Sequence, residues 1–107
     1  MPDVARSNFS KHGFNPRSCG AHCDDCPLGP GGFLRADEWA PVPAELHDGA
    51  TILAIAESPG SEETQHGRPL VGRSGSEWNA ALSAVGKTRP DVDLTNTILC
   101  QPPGQAS

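Results

Sequence analysis

Apolar residues gather in two short runs of this chain, and what lies between them sets most of the fold. Thr51 to Ala56, TILAIA, is continuously apolar after its first residue. That composition suits a strand buried on both faces of a parallel sheet, although six residues alone leave a buried helix turn as an alternative. The stretch from Ala56 to Gly75, AESPGSEETQHGRPLVGRSG, reverses the pattern and reads as a loop rich in Gly, Pro and charge. Ser74-Gly75-Ser76-Glu77 then has the form of a capping box, with a hydroxyl at the N-cap and a carboxylate three positions later. Trp78, Ala81, Leu82 and Val85 follow at helical spacing and predict a helix ending near Gly86, where the missing Cβ suits a left-handed C-cap. Leu94 to Leu99, LTNTIL, predicts a second strand with Asn96 inside it. Strand, loop, helix, strand is a βαβ unit, and such units place ligand loops at the carboxyl ends of their strands. The long loop and CQPPGQ both leave from those ends, so they are expected to converge on one side of the sheet.

The rest of the chain is less patterned. Residues 1–18 are polar and read as an N-terminal arm with at most a short helix, and residues 19–107 as a partial α/β domain. From Pro27 to Gly49 the density of Pro and Gly favours an irregular wrap. Two strands and one helix make a thin sheet, so the sequence has the look of the front part of a larger domain.

Composition sharpens this picture. A chain of 107 residues and 11.2 kDa, with 36% hydrophobic residues, 12 Gly and 11 Pro, is one small domain short of core material. A staple such as a metal centre, disulfides or a partner would help it. The expected setting is soluble, intracellular and cytoplasmic, with no membrane, because neither a leader pattern nor a long apolar run stands in the sequence. The net charge of -5 supplies no global basic field and argues against nonspecific binding of nucleic acid. A locally basic site remains open, with Arg68 and Arg73 in the long loop.

Four cysteines carry the clearest chemistry. Cys19, Cys23 and Cys26 fall within eight residues, and Cys100 approaches them only through folding. Thiolates that close can share an iron-sulfur cluster or zinc, which would hold the N-terminal wrap onto the sheet; reduced, unliganded thiols or disulfides are the plain alternative. His22 is a weaker zinc candidate, since its neighbour Cys23 makes simultaneous ligation awkward. Backbone amides near the predicted helix start suit an anion. Glu57, at the end of a buried strand, either is hydrogen-bonded structurally or lines a site. Asn96 is similar: its amide must find partners within an apolar strand, and its donor and acceptor suit the edge of a base.

CDDCPL, APVP, ILAIAESPGSEE, GRPLVGRSG and LTNTILCQPPG together resemble, in this order, the signature stretches of the family 4 uracil-DNA glycosylases. These are iron-sulfur enzymes that remove uracil from DNA. The resemblance runs from about Cys23 to Gly104. It implies a three-layer α/β/α fold with a parallel sheet, present here as a portion, and uracil-containing DNA as partner.

Position by position, the resemblance makes Glu57, Ser58, Pro59 and Gly60 the motif that lines the uracil pocket and positions the hydrolytic water. Here Ala56 replaces the motif's leading Gly, and Ser58 its small apolar residue. Glu63 corresponds to the acidic residue near the uracil C5 edge. Leu70 stands where a phenylalanine usually stacks on the flipped base. Asn96 corresponds to the asparagine that hydrogen-bonds uracil, and Arg73, Ser74 and Gly75 would hold DNA phosphate. Cys23, Cys26 and Cys100 match three ligands of a 4Fe-4S cluster, with Cys19 a candidate for the fourth. Gln105 stands where Asn is customary.

The family's later cysteine and its C-terminal histidine loop have no counterpart in these residues, so the chain as given is expected to be weakly active or inactive unless a second polypeptide completes it. Two rivals remain at this stage. Cys-x3-Cys-x2-Cys is also the spacing of radical S-adenosylmethionine enzymes, although here the cysteines precede every predicted strand. The other is a noncatalytic, metal-stapled module that binds DNA or a protein.

Overall fold

The computed structural model describes residues 10–104 and shows an α/β architecture. Strand β1, Ile52–Ala56, pairs in parallel with β2, Val92–Asn96, and the register runs from Ile52 opposite Val92 to Ala56 opposite Asn96. Between them lie helix α1, Ser61–His66, and helix α2, Arg73–Ala84. The parallel βαβ unit expected from the apolar pattern is therefore present.

Its core is small. Leu82 of α2 packs against Val92 and Leu94 of β2, with Ala54, Leu70 and Trp78 closing around them. Burial alternates along β2, with Val92, Leu94 and Asn96 inward. This period of two is what a strand with one covered face dictates, and it carries Asn96 to the same side as the core residues. β1 departs from expectation. Rather than being buried on both faces, it leaves Leu53 54% and Ile55 62% exposed. The reason is that β1 has one neighbouring strand and one packed side chain, Ala54, among the described residues.

The segment after Pro27 is irregular, as its Pro and Gly content implies, but it is not loose. Trp39, Ala40, Pro41 and Val42 are buried. The Val42 amide donates to the Leu99 carbonyl at 2.8 Å, and Glu45 exchanges both backbone hydrogen bonds with Leu94 in an antiparallel bridge. This segment covers the edge of β2 that β1 leaves open. The described part of the N-terminal arm is anchored too: the Lys11 amide donates to the Trp39 carbonyl at 2.8 Å, and the His12 ring donates through Nε2 to the Thr64 carbonyl at 2.6 Å.

Three boundaries differ from the sequence expectation. The N-cap of α2 is Gly72, not Ser74, which lies inside the first turn. β2 starts at Val92 and ends at Asn96, so Asn96 sits at the strand's end, not within it. The long loop contains α1, whose third residue, Glu63, reaches back to the N-cap amide of Gly60 and whose last turn closes on the left-handed Gly67. Among the described residues, no helix is long and apolar enough to cross a membrane.

Candidate functional site

The carboxyl ends of the two strands meet. Beyond the Ala56–Asn96 pair, the Thr97 amide donates to the Ala56 carbonyl at 2.8 Å and the Ile98 amide to the Glu57 carbonyl at 2.9 Å. Glu57 and Asn96 thus leave the sheet on neighbouring strands, in very different surroundings. Glu57 is exposed. Asn96 is only 6% exposed, and its Nδ2 is buried with no hydrogen-bond partner among the described residues. A buried donor left unpaired costs about 1–3 kcal/mol, a cost that an incoming acceptor removes.

Past Glu57 the chain turns through half-buried Ser58 and buried Pro59 and Gly60. Glu63 governs this turn. Its Oε1 accepts the Gly60 amide at 2.8 Å, while its Oε2 accepts the Val71 amide at 3.0 Å and the Gly72 amide at 2.7 Å. Burial alone would push the carboxyl up, but the amides of Gly72, Gly60 and Val71 outweigh it and hold the group below the usual carboxylate range. Glu63 is therefore an ionised tie between the Ser58–Gly60 turn and the start of α2.

That tie also allocates donors. The first four amides of a helix lack intrahelical partners. Glu63 takes the one at Gly72, leaving those of Arg73, Ser74 and Gly75 at the positive end of α2. Arg73 and Ser74 are exposed, whereas Gly75 is buried against the Leu70 carbonyl. Leu70 forms part of a shallow depression of about 360 Å³ between the end of β1 and the first turns of α2, with Trp78 in its wall. Glu57 and Asn96 lie outside the lining of that depression.

The cysteines form a second centre. Cys23 is buried, Cys26 and Cys100 are half-buried, Cys19 is exposed, and all four are free thiols. The loop that carries Cys23 and Cys26 is tight: the Gly29 amide donates to the Cys26 carbonyl at 2.9 Å, and a Cβ on Gly29 would stand 1.9 Å from the Cys23 carbonyl oxygen. Burial pushes the Cys100 thiol up to about 11, with Cys26 and Cys23 adding to the shift and the Trp39 indole N–H opposing it. Cys23 is raised by burial and by Cys26, against the pull of Arg17. Cys19 sits apart on the Pro16–Cys19 3-10 turn, with its sulfur 3.9 Å from the Ser18 hydroxyl.

As placed, no group of three or more His, Cys, Asp or Glu side chains among the described residues closes on one point to hold a single metal ion. The donor chemistry of Cys23, Cys26 and Cys100, three thiols of which one is buried and two are half-buried, fits a soft iron-sulfur or zinc centre. His22 is exposed, and Gln105 lies outside the described residues.

Sequence reasoning missed one group near the site. Glu45, Arg68 and Arg89 form an ion network, with Arg68 Nη2 and Arg89 Nε each 2.7 Å from a Glu45 oxygen. Residues 44 positions apart leave no local pattern by which to find them.

The sequence model of the uracil DNA glycosylase superfamily matches residues 43–107. Among curated proteins, the type-4 uracil-DNA glycosylase of Pyrobaculum aerophilum is 37% identical over 82 residues, which is 77% of this chain and 39% of that protein. The Thermotoga maritima type-4 enzyme is 35% identical over 81 residues, covering 76% and 39% respectively. The Archaeoglobus fulgidus one is 37% identical over 62 residues, covering 58% and 31%. The chain thus spans two fifths or less of the length of these relatives. A family match over more than half of the chain coincides with the strand ends, the Glu63 tie and the buried Asn96 amide, and the chain belongs to the uracil-DNA glycosylase superfamily.

Proposed function

We propose that this chain carries the base-reading side of a uracil-DNA glycosylase, a DNA repair hydrolase that cleaves the N-glycosidic bond of deoxyuridine in DNA. One observation supports this reading above the others: the Nδ2 of Asn96 is a buried donor without a partner among the described residues, at the end of β2 and beside the strand end that bears Glu57. An extruded base offers its carbonyl oxygens as the missing acceptors.

In this reading the target base leaves the stack and meets Asn96 at its edge, while Leu70 supplies an apolar surface. Glu57 and the Ser58-Pro59-Gly60 backbone position water. The bond electrons depart with uracil, the water oxygen joins the sugar, and a proton from that water ends on the base. Arg73 with the amides of Ser74 and Gly75 faces a phosphate at the positive end of α2. Glu63, whose oxygens are engaged by amides, favours uracil over thymine by shaping the loop near the C5 edge.

Cys23, Cys26 and Cys100 would hold a 4Fe-4S cluster, with Cys19 as candidate fourth ligand. When bound, the cluster serves as a staple between the N-terminal wrap and the loop after β2. The exposed Ile52, Leu53 and Ile55 support a further length of polypeptide over β1. Family membership removes the radical S-adenosylmethionine alternative.

The test is a comparison of uracil-containing and thymine-containing single strands, where extrusion of a paired base is not required. The chain is expected to prefer uracil, with affinity falling as salt rises. Asn96→Ala should erase the preference and keep most of the salt-dependent binding, since one contact reads the base and the others hold the backbone. Equal affinity of the unmutated chain for both strands would favour a noncatalytic, metal-stapled module.

A further inference from the structure

Leu70 is the one non-glycine residue with positive φ among the described residues, at +51°. A left-handed backbone costs a leucine roughly 1–2 kcal/mol, so its neighbours must hold it there. On one side, the next two amides, Val71 and Gly72, are fixed to Glu63. On the other side stands Arg89. Its Nη1 donates to the Leu70 carbonyl at 2.7 Å, and its Nη2 donates to the Pro69 carbonyl. The remaining guanidinium edge faces Glu45, with Nε 2.7 Å from Oε2 and Nη2 3.2 Å from Oε1.

Glu45 is itself anchored, because its backbone forms the two-bond bridge to the fully buried Leu94. Its side chain also takes Arg68 Nε at 2.8 Å. The guanidinium is thus a rigid planar bracket between the core strand and two consecutive carbonyls, a geometry that an ammonium cannot reproduce. Close packing completes the grip, since Gly75 approaches the Leu70 carbonyl so tightly that a Cβ there would lie 2.1 Å from its oxygen.

We propose that Arg89, oriented by Glu45, is a positioning residue for base recognition: it holds the Pro69-Leu70 backbone in the left-handed turn that presents Leu70 to the flipped uracil. Arg89 touches neither base nor phosphate in this scheme. The inference rests on the glycosylase reading given above, and its test separates the two.

The variant is Arg89→Lys in the full chain, with Glu45→Gln as the second variant should the first fail to fold. Amide hydrogen exchange at Val71 and Gly72 should accelerate by about tenfold or more, as expected for loss of a charge-assisted bracket, while exchange at Leu94 stays unchanged. The ratio of uracil-strand to thymine-strand affinity should fall by a similar factor of about ten, with the salt dependence of binding preserved. Unchanged protection at Val71 and Gly72, or parallel loss at Leu94, would overturn the bracket. So would a salt slope that falls together with the base preference, the mark of plain unfolding. If the unmutated chain shows no base preference, the glycosylase reading and the positioning role fall together, while the exchange pattern still reports whether Arg89 sets the turn.

Discussion

The Glu63 carboxylate accepts the Gly72 amide at 2.7 Å although the two stand nine positions apart in sequence. One side chain therefore caps two helices: it closes the first turn of α1 through Gly60, its own N-cap, and supplies the acceptor that α2 lacks at Gly72. The loop that reads from its sequence as rich in Gly, Pro and charge is tied at three amides by this carboxylate.

Replacing the carboxylate exposes that dependence. Glu63→Gln keeps the size but leaves one acceptor oxygen and turns an NH2 toward backbone donors. Loss of charge-assisted bonds at a site only 7% exposed should destabilise the fold by about 2–3 kcal/mol. Denaturant unfolding with an unchanged m-value would show this, whereas a midpoint equal to that of the unmutated chain would mean that the tie contributes nothing net.

The same group sets a pH dependence. Burial pushes up both Glu63 and Glu45, but amide bonds at the first and Arg89 and Arg68 at the second outweigh it and leave their folded pKa values depressed. Between the folded and unfolded values the unfolded chain binds more protons, so stability rises with pH there. It is fully present above the ordinary carboxylate value of about 4.3 and is lost as pH falls through the depressed folded values. Unfolding midpoints between neutral and acidic pH should fall below that point, and Glu63→Gln should flatten the fall. An unaltered slope in the variant would assign the dependence to other carboxylates.

How far the sequence foretold this molecule depends on which signals are local. The apolar run of β1 and the helical spacing of Trp78, Ala81, Leu82 and Val85 placed the parallel unit, because periodicity reflects which side chains face the core. Ser74 and Glu77 suggested a capping box, yet the chain starts α2 two residues earlier, since Glu63 caps it from a distance that no local pattern encodes. Val92 and Asp93 belong to β2 although they stand outside the predicted LTNTIL, because Asp93 interrupts the apolar pattern while the alternation of VDLTN already turns Val92 and Leu94 inward. Asn96 and Glu57 were legible as candidates from their place at strand ends. Glu45 and Arg89 were not, since only the fold brings them together.

Gly75 offers a sharper test of the packing around Leu70. A Cβ at this position would stand 2.1 Å from the Leu70 oxygen and 2.4 Å from its carbonyl carbon, both backbone atoms held by Arg89. Gly75→Ala should therefore destabilise by at least about 1–3 kcal/mol through overpacking, despite the better helix propensity of alanine. Thermal unfolding decides this, and a stabilised variant would show that the loop yields freely.

The cysteines predict a metal-dependent fold. Protein prepared without oxygen should contain iron and inorganic sulfide, and Cys100→Ser should lose both if Cys100 is, as proposed, the ligand that would tie the loop after β2 to the N-terminal cysteines. Cys19→Ala should keep the iron if Cys19 is a bystander on its exposed turn and lose it if recruited as the fourth ligand. Zinc without iron in the unmutated protein would exclude the cluster.

Asn96 allows stability and recognition to be separated. Most buried amides stabilise a fold through their bonds, so truncating them harms both properties at once. Asn96 differs, because its Nδ2 is buried with no partner among the described residues while the residue shares the inward face of β2 with Val92 and Leu94. An apolar side chain of the same branched shape would remove the desolvation cost of that donor and extend the core. Asn96→Leu should consequently be neutral or stabilising, by up to about 1–2 kcal/mol, even as it abolishes discrimination between uracil and thymine. Chemical denaturation and strand-binding measurements on the same preparation would read the two effects separately. A large loss of stability would show that the amide serves the fold, and base reading would then have to be assigned elsewhere.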